Sequence, residues 1–121
     1  MATPHVLVVD DTCVDRLVAS RVLQSFNIQV TAVEGPKEAL KFLEMGHDVK
    51  IILTDYSMPD MTGYDLLMEV KNSPKLGHLP MVIMCIDDVP AKVKKCLDGG
   101  AKAFITKPIK VANVPSLLGY I

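Results

Sequence analysis

"IILTDYSMPDMTGYDLL" occupies residues 51–67. Its first residues are apolar or β-branched, and Asp55 closes the run. A short continuous apolar run of this kind reads as a strand covered on both faces. Asp55 therefore stands as a carboxylate at the carboxyl end of a buried strand. A helical pattern follows from about Gly63 to Asn72 and ends before Ser73-Pro74, where the residue preceding proline leaves the helical region.

The same alternation continues on both sides. Further strands are predicted over 5–9, 28–33, 80–84 and 103–106, with the opening run starting at residue 49. In the first helix Val14, Leu17, Val18 and Val22 recur at i, i+3, i+4 and i+8, which predicts one apolar face. Gly35-Pro36 opens a second helix and Gly46 stops it. A fourth follows Pro90 and ends at Gly99-Gly100, and a fifth begins near Val111 with Pro115 inside it. Strands alternating with helices predict an α/β fold with a parallel sheet and helices on both faces. At 121 residues the chain is expected to be one domain, 1–121.

Composition narrows the function. Half of the residues are apolar and the net charge is −1, which disfavours disorder and a basic nucleic-acid-binding surface. Residues 1–90 carry 7 Lys/Arg against 13 Asp/Glu, whereas residues 91–121 carry 6 against 1. The plain reading of that basic segment is a solvated helix face. Cys13, Cys85 and Cys96 have spacings that suit neither a disulfide framework nor a zinc site. No leader or membrane span is expected, and the expected location is the cytoplasm, the nucleus or both.

In a doubly wound sheet with strands 1 and 3 adjacent, Asp10 and Asp11 emerge beside Asp55. Like charges in one crevice repel, and burial adds to the cost, so the cluster calls for a cation. Carboxylate-only ligation suits Mg²⁺ better than zinc. Lys107 ends the fifth strand and reaches the same crevice if that strand lies alongside. A cation, an ammonium and a carboxylate suit phosphoryl chemistry, with Asp55 as nucleophile. Taken singly, each acid is more often a turn or N-cap residue, and Asp11 in "DDTCVDR" has an alternative reading as the cap of the first helix. Neither a G-x-x-x-x-G-K-[ST] nor a G-x-G-x-x-G loop is present, and the methionines read as packing residues.

"VLVVDD", "TDYSMPDMTGYDLL" and "FITKP" together resemble the receiver domains of two-component response regulators, most closely the plant type-A class of cytokinin signalling. The spacings agree: 44 residues from Asp11 to Asp55, 30 from Asp55 to Cys85 and 52 from Asp55 to Lys107. The resemblance implies a flavodoxin-like, doubly wound, five-stranded parallel sheet in order 2-1-3-4-5 with five helices. It implies Asp55 as phosphoacceptor, with Mg²⁺ held by Asp11, Asp55 and the Ser57 carbonyl, and by Asp10 through water. It further implies that Lys107 contacts the phosphoryl group, that the Lys107-Pro108 bond is cis, and that Phe104 is the aromatic switch. Cys85 departs from the pattern, since the family has Ser or Thr there.

The chain is thus expected to be a stand-alone receiver taking phosphate from a histidine-phosphotransfer protein. Output is expected through protein partners on the fourth helix, fifth strand and fifth helix, where Lys92, Lys94, Lys95, Lys102 and Lys110 lie. Neither nucleic acid nor a membrane is an expected partner. The alternative is a pseudo-receiver scaffold whose switching is impaired by Cys85. An aspartyl phosphatase is disfavoured, because Ser57 stands where the general acid of a D-x-D site belongs, so no enzyme activity is expected.

Overall fold

A computed structural model describes residues 3–121. Five strands form one parallel sheet in the order β2-β1-β3-β4-β5. They are β1 (His5–Val9), β2 (Gln29–Val33), β3 (Ile51–Asp55), β4 (Met81–Cys85) and β5 (Ala103–Thr106). The helices are α1 (Cys13–Gln24), α2 (Pro36–Glu44), α3 (Gly63–Asn72), α4 (Pro90–Asp98) and α5 (Val114–Leu118). The fold matches the expected order and alternation, and β3 and β4 end one residue later than predicted, on Asp55 and Cys85 themselves.

Side-chain parity assigns each position to a face. Val6, Val8, Ile51, Leu53, Val82 and Met84 pack with Ala19 and Leu23 of α1 and Val114 and Leu117 of α5. Leu7, Val9, Ile52, Met81 and Ile83 pack on the other side with Ala39 and Leu43 of α2, Leu66, Leu67 and Val70 of α3 and Cys96 of α4. Because strand residues alternate with a period of two, the residues that end the strands inherit these faces. Asp10, Asp55 and Lys107 follow the parity of Val8, Leu53 and Ile105, towards α1. Cys85 follows Ile83 towards α3 and α4, the side on which Phe104 also packs.

The predicted face of α1 is wrong by one residue. Val14 is 65% exposed and Leu17 49% exposed, while Ala19 and Leu23 are buried and Val18 and Val22 are partly buried. The stripe that meets the sheet is 15, 18, 19, 22 and 23. Ala19 lets the helix approach closely, and a small residue gives little weight to a hydrophobicity pattern. At the C-terminus the pattern around Pro115 resolves into two pieces. A 3-10 turn over Val111–Asn113 leads into α5, with Pro115 in its first turn, where no intrahelical N–H is lost.

Candidate functional site

Each loop at the carboxyl edge is short and locally determined. After β3 the chain turns through Asp60, in the left-handed region at φ 69°, to Thr62. Thr62 and Asp65 form a reciprocal capping box that starts α3. Gly63 sits directly against the end of β3: a Cβ there would lie 2.4 Å from the Asp55 carbonyl oxygen. Its N–H instead donates to the Tyr56 carbonyl at 2.8 Å. Glycine at this position is what lets α3 begin so close to the acid.

The carboxylates of Asp10, Asp11 and Asp55 converge, each offering an oxygen within 4.8 Å of the others. Asp10 and Asp55 are buried, and Asp11 is exposed at the mouth. Asp10 Oδ1 accepts from the Thr12 amide at 3.0 Å, and the Asp10 carbonyl accepts from Arg16 Nη1 at 2.8 Å. Asp10 Oδ2 is fully enclosed and lacks a directed hydrogen bond, although Lys107 Nζ stands 2.7 Å away as an ion pair. A buried carboxylate oxygen without a donor is costly unless a cation completes it. The donor set is entirely oxygen, which suits a hard divalent cation.

Lys107 is mostly buried and meets three carboxylates: Asp10 at 2.7 Å, Asp15 Oδ2 at 2.9 Å and Asp55 Oδ1 at 3.2 Å. The peptide bond to Pro108 is cis, and the Lys107 amide donates to the Cys85 carbonyl at 2.7 Å. Burial works against the ammonium charge, but the Asp10 and Asp15 carboxylates outweigh it and hold the lysine above its ordinary range. Asp55 moves up to about 6: burial is the main cause, the Asp10 charge adds to it, and Lys107 offsets part of it. The carboxyl is thus ionised at neutral pH yet more basic, and more nucleophilic, than an ordinary aspartate.

The acids and Lys107 lie around one crevice at the carboxyl edge, and Ser57, two residues beyond Asp55, is exposed. Cys85 and Phe104 lie on the opposite face of the sheet. The Cys85 thiol is buried and lies 3.6 Å from Asp87 Oδ1. Asp87 in turn pairs with Lys92 at 3.3 Å, and Lys92 covers the Tyr56 ring at 4.9 Å. Phe104 is partly buried and lines a groove against α4 with Val93, Lys94 and Leu97. Much of the basic charge of α4 is therefore already engaged, since Lys94 pairs with Asp98 and Lys95 covers Tyr64. Asp15 is the site residue that sequence reading missed. The signal that reveals it is the corrected α1 stripe, on which position 15 is the first member.

The chain matches the family model of the response regulator receiver domain over residues 6–118. It is 60% identical to the two-component response regulator ORR12 of Oryza sativa subsp. japonica over the full length of both chains. It is 59% identical to ORR13 of the same rice, again over the full length of both. Among solved structures, the chemotaxis protein CheY4 of Vibrio cholerae superposes with a TM-score of 0.88 at 25% identity, over 98% of both chains. A response regulator receiver protein from Pseudomonas putida gives 0.89 at 26% identity, over 100% of this chain and 99% of that one.

Proposed function

The chain belongs to the response regulator receiver family of plant two-component signalling, and from that premise we propose that it takes a phosphoryl group on Asp55 from a histidine-phosphotransfer protein. The observation that carries this reading is the buried Asp55 carboxylate, converging with Asp10 and Asp11 and held 3.2 Å from the Lys107 ammonium. In the transfer an Asp55 carboxylate oxygen bonds to phosphorus. The phosphorus–nitrogen bond of the donor phosphohistidine breaks, and its electron pair returns to the imidazole. Lys107 draws the phosphoryl oxygens and balances their charge. Asp10, Asp11, Asp55 and the Ser57 carbonyl would hold Mg²⁺, and three carboxylates that each offer an oxygen within 4.8 Å of the others fit that assignment. Bound Mg²⁺ would stabilise negative charge on the phosphoryl oxygens. Phosphate-linked output runs through Cys85 and Phe104 to protein partners on α4, β5 and α5, without turnover of a substrate.

The pathway class in this proposal is cytokinin signalling, with the cytoplasm and nucleus as sites of action; the likeness to rice two-component response regulators supports its plant phosphorelay part. Among the described residues no helix is long and apolar enough to cross a membrane. The second reading, a pseudo-receiver with weakened switching, draws on the Cys85 thiol facing Asp87. The experiment is phosphotransfer from a labelled histidine-phosphotransfer protein to wild type and to Asp55→Asn, with Mg²⁺ or chelator. Label on wild type alone, dependent on Mg²⁺, is expected. Label retained by Asp55→Asn refutes the assignment, and a labelled wild type without change at Phe104 selects the second reading.

A further inference from the structure

We propose that Asp15 is a positioning residue for Lys107, which shares the ammonium with α1 and thereby limits its pull on the phosphoryl group. This inference rests on the receiver reading of the site. An ammonium has three N–H donors. Here they face three carboxylates, and the contact to Asp15 Oδ2 at 2.9 Å is a directed hydrogen bond as well as an ion pair. The contacts to Asp10 and Asp55 are ion pairs, and the one to Asp55 is the longest at 3.2 Å. At rest, then, the two shortest contacts of Lys107 are to Asp10 and Asp15 and not to the phosphoacceptor.

Asp15 lies outside the trio of converging carboxylates, so its charge serves the lysine and not the cation. It stands in the first turn of α1, 92 positions from Lys107 in sequence, and it ties that helix to the end of β5. The void behind the pair, lined by Asp15, Ala19, Lys107, Pro108 and Ile109, holds about 10 Å³. That is at the lower limit for one water, so solvent meets the pair from the partly exposed Asp15 side and not from this void. A phosphoryl group on Asp55 must compete with Asp15 for the same ammonium. The cost of that competition is set by α1, so the strength of phosphate capture and the tether between α1 and the β5 end are one coupled quantity.

The test is affinity for beryllofluoride with Mg²⁺, a phosphoryl mimic, read by NMR titration. Asp15→Asn keeps the shape and removes the charge. It should tighten beryllofluoride about two- to fivefold, the range of a partly exposed ion pair. Asp15→Glu should stay within about twofold of wild type. In a Lys107→Met background, Asp15→Asn should change nothing, because Asp15 acts through the lysine. In the metal-free protein the Lys107 ε-methylene signals should shift in Asp15→Asn, a readout that needs no phosphoryl mimic. Should Asp15→Asn not fold, Asp15→Ser carries the same expectation. Unchanged or weaker binding by Asp15→Asn, or equal tightening without Lys107, overturns this inference alone. A folded wild type that binds no beryllofluoride overturns the receiver reading, and this inference with it.

Discussion

The two ends of the sheet both carry clustered titratable groups, and they are balanced in opposite ways. At the amino end the buried His5 ring satisfies both nitrogens. Nδ1 meets Asp48 Oδ1 at 2.5 Å and Nε2 meets Thr31 Oγ1 at 2.7 Å. A carboxylate only accepts, so Nδ1 carries a proton and donates to Asp48, while the threonine hydroxyl pairs with Nε2. The hydrogen bond from His5 holds Asp48 below its ordinary value, and the ring stands edge-on to Phe42. At the carboxyl end, Asp10, Asp15 and Asp55 share one lysine, Asp11 stands beside them, and Asp55 is pushed up. A cluster whose groups are all partnered is a brace; one with surplus negative charge and an unfilled acceptor waits for a ligand.

The contrast breaks most sharply at Lys107. Lys107→Met keeps the length of the side chain and removes the charge, leaving Asp10 and Asp55 buried without a cation. Loss of one partner from a buried ionic cluster costs about 3–5 kcal/mol. That loss is expected in urea unfolding with chelator present. Saturating Mg²⁺ should recover more stability in Lys107→Met than it adds to wild type. Equal Mg²⁺ stabilisation of the two proteins would show that the lysine does not offset the acids.

At the amino end the matching change is His5→Ala. It removes two hydrogen bonds and opens a void, at a cost of about 2–3 kcal/mol. Because the folded pKa of Asp48 is depressed, its contribution to stability is present above the unfolded value of 3.8 and is lost as pH falls through the lower folded value. In His5→Ala the Asp48 carboxyl should return to its ordinary titration while phosphorylation of Asp55 continues at the wild-type rate. A folded His5→Ala with several-fold slower phosphorylation would mean that the two ends are coupled.

Asp55 itself gives a smaller effect of opposite sign. Its folded pKa lies above the unfolded 3.8, at about 6, so burying its charge lowers stability as pH rises through that window. Asp55→Asn should therefore stabilise the metal-free protein above pH 6 by about 1–2 kcal/mol, after discounting for the hydrated mouth. No gain is expected below about pH 3, where the wild-type carboxyl is protonated in both states. The carboxyl carbon of Asp55, followed by NMR, should titrate near pH 6 without metal and lower with Mg²⁺. A gain in Asp55→Asn that persists unchanged at about pH 3 would point to packing and not to charge.

The strands and the acids that end them were legible because buried parallel strands write continuous apolar runs, whereas the strand order, which brings Asp10, Asp11, Asp55 and Lys107 together, came from the family resemblance. Helix faces were less legible. On α1 the exposed Val14 and Leu17 drew the apolar stripe one residue away from Ala19 and Leu23, and that slip hid Asp15 among surface charges. A residue 92 positions from its partner leaves no periodic trace. The tyrosine contacts of Lys92 and Lys95 were equally invisible, since which ring an amphipathic lysine covers is settled by tertiary packing. The bend at Pro115 was read as an ambiguity, and the 3-10 turn resolves it.

The finest effect lies at Cys85, the one position that departs from the family pattern. Its side chain follows the parity of Ile83 at the carboxyl edge, one residue beyond the Met84 that pairs with Asp55, and its thiol lies 3.6 Å from Asp87 Oδ1. Asp87 is held by Lys92, so the loop after β4 has an anchor of its own in the resting state. A hydroxyl bonded to a charged phosphoryl oxygen contributes roughly 1.5–3 kcal/mol. A thiol is a weaker donor and supplies only part of that. Cys85→Thr should restore up to about 1.4 kcal/mol of coupling, a tenfold change in the ratio of active to resting conformers. Mg²⁺ affinity should barely move, because position 85 contributes nothing to the carboxylate cluster. The measurement is NMR of wild type and Cys85→Thr with and without beryllofluoride, following the Phe104 ring. Identical ring shifts in both proteins would reduce Cys85 to a small buried apolar residue, and the surplus charge at the carboxyl end would then act on Phe104 by a route that bypasses β4.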